Sequence, residues 1–150
     1  MMPREQAPIL LVEDNPVDIL LLRRAVGKAQ ITNPLQVVGD GEHAVNYLAG
    51  QDIYTDRQRY PLPSLILLDL KLPRRGGLDV LAWLRDQPGL KRLPVVVLTS
   101  SNELSDVSRA YDLGANSYLV KPGAPDALTQ LVEQIKHYWL ILNEPPHITA

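Results

Sequence analysis

Three short runs of Val, Ile and Leu constrain the fold more than anything else in the chain: residues 8–13 (PILLVE), 64–69 (SLILLD) and 94–98 (PVVVL). None alternates apolar with polar residues, and each is bounded by Pro or by polar residues. Runs of this kind read as strands buried on both faces, the condition of a parallel sheet covered by helices. Between the runs the spacing becomes helical. Asn15-Pro16 writes a helix start, with Asp14 or Asn15 as cap and Pro16 in the first turn. Val17, Leu20, Leu21, Arg24 and Ala25, with Leu22 and Val26 widening the apolar side, carry that helix to about Lys28. Leu35–Val38 is a shorter strand containing Gln36, and Asp40-Gly41 turns the chain into a helix marked by Ala44, Val45 and Leu48. Leu78, Leu81, Ala82 and Arg85 mark a third helix, and Asn102–Leu113 a fourth that Gly114 stops. Ser117–Lys121 is a fifth strand. A last helix runs from Asp126 to about Leu142, with Leu128, Leu131, Val132, Ile135, Trp139 and Leu142 facing the sheet.

Five alternating strand–helix units imply an α/β domain, a single (βα)5 doubly wound parallel sheet. The three apolar runs belong in the middle and the two runs with polar residues at the edges. With right-handed crossovers this favours the strand order 2-1-3-4-5. One domain over 1–150 is expected, with its core at about 7–142 and a loosely ordered tail at 143–150. Gln51–Pro63 (QDIYTDRQRYPLP) reads as a polar surface insertion before the third strand.

The expected order gathers scattered residues at the carboxyl edge of the sheet, where open α/β sheets bind ligands. Glu13 and Asp14 end strand 1, Asp69 ends strand 3, Thr99 ends strand 4 and Lys121 ends strand 5. Two like charges ~4 Å apart repel by about 4 kcal/mol in a dielectric of about 20. Lys121 supplies one neutralising charge, and a divalent cation would supply two more. The chain has no cysteine, so it offers no disulfide and no thiolate ligand, and an all-oxygen donor set favours a hard ion, Mg²⁺ first. A metal beside a carboxylate suits phosphoryl transfer, and carboxylates that become aspartyl phosphates are established nucleophiles.

The net charge of −2 gives no strong attraction to nucleic acid or to an anionic membrane. Arg74-Arg75 reads as solvated turn charge. No apolar run has the length of a membrane span and no signal peptide precedes the first strand, so a cytoplasmic setting is expected.

Four motifs, LVEDNPVD, LILLDLKLPRRGG, PVVVLTS and GANSYLVKP, resemble those of response-regulator receiver domains, and the likeness runs over about residues 7–142. The resemblance implies a flavodoxin-like fold with Asp69 as phosphoacceptor. It implies an acidic pocket of Glu13 and Asp14, with Asp14 the more direct Mg²⁺ ligand and Glu13 acting mainly through water. Asp69 and the backbone carbonyl of Lys71 would complete the protein ligands. Thr99 would be the switch hydroxyl, Tyr118 the switch aromatic and Lys121 the phosphate-pairing cation, followed by a cis Lys121–Pro122 bond. Ser100 stands where many members have Ala, and Lys71 and Ser101 occupy positions that tune dephosphorylation in the family.

The 51–63 loop, the long last helix (LVEQIKHYWLILN) and the stretches RQRYPLPSLILLDLKLP and AYDLGANSYLVKP are similar to the small Rcp-type regulators that partner bacteriophytochromes. That likeness implies a sensor histidine kinase as phosphoryl donor. It also implies a homodimer through helix 4, strand 5 and helix 5, near Tyr111, Tyr118, Tyr138 and Ile141. Such a protein is a phosphoacceptor rather than an enzyme and signals through protein partners, without direct contact to nucleic acid or membrane. Two other classes share parts of the pattern. A phosphohydrolase with an Asp nucleophile usually carries a second Asp two residues on, where this chain has Lys71. A pseudo-receiver would keep the fold as a protein-interaction module without being phosphorylated.

Overall fold

Ile9–Val12 (β1), Leu65–Leu68 (β3) and Val95–Thr99 (β4) are buried along their whole length. Leu35–Val38 (β2) and Ser117–Val120 (β5) flank them and are partly exposed. In the computed structural model, which describes residues 2–148, the five strands pair in parallel in the order β2-β1-β3-β4-β5. Val12 lies opposite both Val38 and Leu68, and Leu68 lies opposite Val97. This register brings the residues that follow β1 and β3 to the same rim as the end of β4.

Helices α1 (Pro16–Lys28) and α5 (Pro125–Ile135) cover one face of the sheet. Helices α2 (Gly41–Ala49), α3 (Gly77–Arg85) and α4 (Leu104–Asp112) cover the other. Side chains alternate between the faces, as strand geometry requires: Ile9, Leu11, Leu65, Leu67, Val96 and Leu98 pack towards α1 and α5. Asn15 caps α1, its Oδ1 accepting from the backbone N–H groups of Val17 and Asp18 at 2.9 and 3.1 Å. Asp40 caps α2 by accepting from the His43 N–H at 2.7 Å. Gly114, at φ +99°, ends α4 in a conformation that an L side chain rarely adopts.

Several expectations about packing are corrected. In α1 the buried residues are Leu22, Ala25 and Val26, with Ile19 and Leu21 beside them, whereas Val17 and Leu20 face solvent. In α3 the buried face holds Val80, Leu81 and Leu84, and Ala82 is outside. The last helix keeps α-helical phase only to Ile135. Lys136–Leu142 is π-helical, closed by Asn143 N–H donating to Tyr138 C=O at 2.7 Å. The wider turn shifts the inward face, so Trp139 and Leu140 pack on the core while Leu142 is exposed.

The 51–63 segment is more than surface loop. Tyr54 is buried, and the rings of Tyr47, Tyr54 and Tyr60 pack on one another with centroids 5.0–5.9 Å apart. Arg57 reaches back to the end of α2 and donates to the carbonyls of Tyr47 and Leu48 at 2.7 and 2.8 Å. Of the 143–150 tail, Ile148 packs against the core, and Arg4 donates to the carbonyls of Trp139 and Asn143. Thr149 and Ala150 lie outside the described residues.

Candidate functional site

Strand ends build the site. Asp69 follows the all-apolar β3 and is held at the rim, 8% exposed, with its backbone N–H bonded to Val12 C=O at 3.1 Å. Three donors close on its carboxylate. Thr99, fully buried at the end of β4, donates to Oδ1 at 2.8 Å. The Lys71 N–H donates to the same oxygen at 3.3 Å. Lys121, which follows β5, donates to Oδ2 at 3.1 Å. Glu13 and Asp14 stand on the β1 side, and carboxylate oxygens of Glu13, Asp14 and Asp69 lie within 4.8 Å of one another.

Glu13 is 1% exposed and already committed to protein donors. Its Oε2 accepts from the backbone N–H groups of Asp14 and Asn15 at 3.1 and 3.2 Å, and its Oε1 pairs with Lys121. Asp14 is exposed, with its carboxylate free of protein hydrogen bonds among the described residues. The donor set therefore fits a hard divalent ion, with Asp14 and Asp69 the more available ligands and Glu13 behind them.

The charges set the protonation states. Burial raises the Asp69 carboxyl, but the Thr99 hydrogen bond and the charge and hydrogen bond of Lys121 outweigh it and hold it below the usual carboxylate range. Burial raises the Glu13 carboxyl by more than its bonds to Lys121 and Asn15 lower it. Burial would lower the Lys121 ammonium, but Glu13, Asp18 and Asp69 together push it above the ordinary lysine value. Lys121 is thus a fixed cation, and Asp69 an ionised carboxylate.

Two glycines make room for this arrangement. A Cβ on Gly77 would sit 2.2 Å from the Asp69 carbonyl oxygen, and one on Gly41 would sit 2.0 Å from the Arg75 carbonyl oxygen. The loop between β3 and α3 is further tied to α2 by Arg74–Asp40 at 2.7 Å and Arg75–Glu42 at 2.9 Å, so these arginines, though in contact with solvent, also carry ion pairs. Tyr118, half-buried, donates from its hydroxyl to Ser101 C=O at 2.8 Å, and the Ser101 hydroxyl donates to Asp106 at 2.6 Å. The expected cis bond is absent: no cis peptide occurs among the described residues, and Lys121–Pro122 takes the trans form that most X–Pro bonds prefer.

The sequence reading missed Asp18, which bonds Lys121 at 3.0 Å, and the close approach at Gly77. Asp18 lies in the first turn of α1, directly after the acids that end β1. Tyr111, Tyr138 and Ile141 are about half exposed and stand away from the Asp69 site on α4 and the π-helical turn.

A doubly wound sheet with this rim of acids, hydroxyl and lysine defines a receiver domain. The sequence matches the response regulator receiver domain over residues 9–133, and the chain belongs to that family. It is 41% identical to the response regulator Rcp1 of Synechocystis sp. over 132 residues, 88% of each chain. It is also 41% identical to a probable methanogenesis regulatory protein, FilR2, of Methanothrix harundinacea, over 92% of this chain and 86% of that one. The crystal structure of the phosphorylated cyanobacterial phytochrome response regulator RcpA superposes with a TM-score of 0.88 at 38% identity, covering 95% of this chain and 99% of that one. The Mn²⁺-bound form of Rcp1 superposes with a TM-score of 0.84 at 39% identity, covering 94% and 99%.

Proposed function

We propose that this receiver takes a phosphoryl group on Asp69 from a sensor histidine kinase of the phytochrome type and signals through the face made by α4, β5 and α5. The observation that carries the reading is the Asp69 carboxylate itself, held at the rim with Thr99 on one oxygen and Lys121 on the other. In the transfer, a carboxylate oxygen forms a bond to phosphorus and the bond from phosphorus to the donor's imidazole nitrogen breaks. The electron pair leaves with the imidazole, and the product is an aspartyl phosphate. Lys121 offsets charge on the phosphoryl oxygens, and the Lys71 N–H and Thr99 hydroxyl hold the acceptor in line. Mg²⁺, held by Asp14, Asp69 and the Lys71 carbonyl with Glu13 behind them, would neutralise the acids and bind a phosphoryl oxygen.

The output follows from the same contacts. Thr99 links the acceptor to β4, and Tyr118 links β5 to the loop after β4 through Ser101. Phosphorylation adds charge and acceptor oxygens at Asp69, which biases whether these two contacts are held together. The exposed residues Tyr111, Val120, Tyr138 and Ile141 lie on or beside that face and suit a symmetric homodimer in the cytoplasm. A monomeric mass by light scattering at micromolar concentration contradicts the dimer.

The phytochrome partner rests on the likeness to RcpA and Rcp1. It is tested by mixing the protein with an autophosphorylated phytochrome kinase and with an unrelated histidine kinase. Faster transfer from the phytochrome kinase, lost in Asp69→Asn, supports the reading, and equal transfer from both removes the partner assignment.

A further inference from the structure

Lys121 has three N–H donors and no acceptor. Three carboxylates take all of them: Glu13, Asp18 at 3.0 Å and Asp69 at 3.1 Å. A phosphoryl oxygen arriving at Asp69 is a further acceptor, so one partner must loosen. Glu13 is buried, with 1% of its side chain exposed, and releasing it would leave a buried carboxylate with one oxygen unpaired. Asp69 is the acceptor, and its carboxyl oxygen stays beside Lys121 when the phosphoryl group is attached to it. Asp18 is different: 37% of its side chain is exposed, so water can replace the ammonium there. Its position is nevertheless fixed, because it sits in the capped first turn of α1 with its N–H bonded to Asn15 at 3.1 Å.

We propose that Asp18 is a positioning residue that draws the Lys121 ammonium towards α1 and so slows phosphoryl uptake at Asp69. The inference rests on the phosphoacceptor reading above. Removing the Asp18 charge frees an N–H for the phosphoryl group and also lessens repulsion of the incoming phosphate. Both effects accelerate uptake, but only the first acts through Lys121. The plain alternative is that Asp18 is a first-turn acid favoured by the helix dipole, with no bearing on the chemistry.

The test is a double-mutant cycle on phosphoryl uptake from acetyl phosphate at saturating Mg²⁺, using wild type, Asp18→Asn, Lys121→Ala and the double variant. The expected result is that Asp18→Asn speeds uptake at least about twofold when Lys121 is present and by clearly less when it is absent, the mark of coupled groups in contact. A second readout needs neither metal nor phosphate: the Lys121 Nζ resonance of the unphosphorylated protein shifts in Asp18→Asn. Equal acceleration in both backgrounds, no acceleration, or an unmoved Nζ resonance overturns the inference alone. A wild type that takes up no phosphoryl group overturns the phosphoacceptor reading and the inference with it.

Discussion

Thr99 Oγ1 donates to Asp69 Oδ1 at 2.8 Å, across neighbouring strands, with both residues buried. The acceptor is therefore already wired to β4 before any phosphoryl group arrives. Because the bond ends on a charge, it is worth about 1.5–3 kcal/mol. Thr99→Ala is expected to accept phosphate still, since Asp69 and Lys121 remain, but to lose most of the change on the α4–β5–α5 face. Backbone chemical shifts of α4 and β5, before and after phosphorylation, check this. Shifts as large as in wild type contradict it.

Gly77 lies against the backbone of the phosphoacceptor. An added Cβ meets the Asp69 carbonyl oxygen at 2.2 Å and the Leu70 Cα at 2.8 Å, and neither is a flexible side-chain end. Gly77→Ala is expected to lower stability by about 1–3 kcal/mol, as overpacking does, and to slow phosphoryl uptake by displacing Asp69. Urea midpoints and uptake rates measured together check both, and an unchanged pair contradicts the close packing.

Asp40 carries a pH dependence away from the phosphorylation site. Its burial raises the carboxyl, but the backbone and side chain of His43 and the charge of Arg74 outweigh this and set it below the ordinary Asp value. A lowered folded-state pKa gives stability that is fully present above the unfolded value, about 3.9, and is lost as pH falls through the folded value. Asp40→Asn is expected to be clearly less stable than wild type at ~pH 6, with the gap narrowing as pH drops below ~4. A gap that is constant over that range contradicts the account.

Arg57 decides whether the 51–63 segment is a loop or a packed element. Its guanidinium spans the carbonyls of Tyr47, Leu48 and Tyr60 at 2.7, 2.8 and 3.3 Å. Arg57→Ala is expected to cost about 1–3 kcal/mol, and Arg57→Lys to recover little, because an ammonium lacks the planar fork. Thermal unfolding of the two variants is the check. A neutral alanine variant restores the surface-loop reading.

How much of this was legible in the sequence varies by element. The sheet was readable because β1, β3 and β4 are runs that only a doubly covered strand accommodates. The rim followed at once, since Glu13, Asp69, Thr99 and Lys121 all terminate or follow strands. Helix phase was harder. Val17 and Leu20 match an apolar stripe in α1, yet the inward face is fixed by the Asn15 cap and by packing on α5. The π-helical turn after Ile135 has no local sequence signal of its own, and it turns Leu142 outward. The anchoring of the 51–63 segment by Arg57 and the pairing of Arg74 with Asp40 were hidden because their partners, backbone carbonyls and a buried carboxylate, are contacts that only the tertiary fold supplies. Asp18 was hidden for the same reason, since its partner lies 103 residues away.

The most direct test of the central claim is intact mass after incubation with acetyl phosphate, with and without Mg²⁺, on wild type and Asp69→Asn. The account predicts a single phosphoryl adduct on wild type that requires Mg²⁺ and is absent from the variant. An adduct that persists in Asp69→Asn, or that forms equally well without Mg²⁺, contradicts the account.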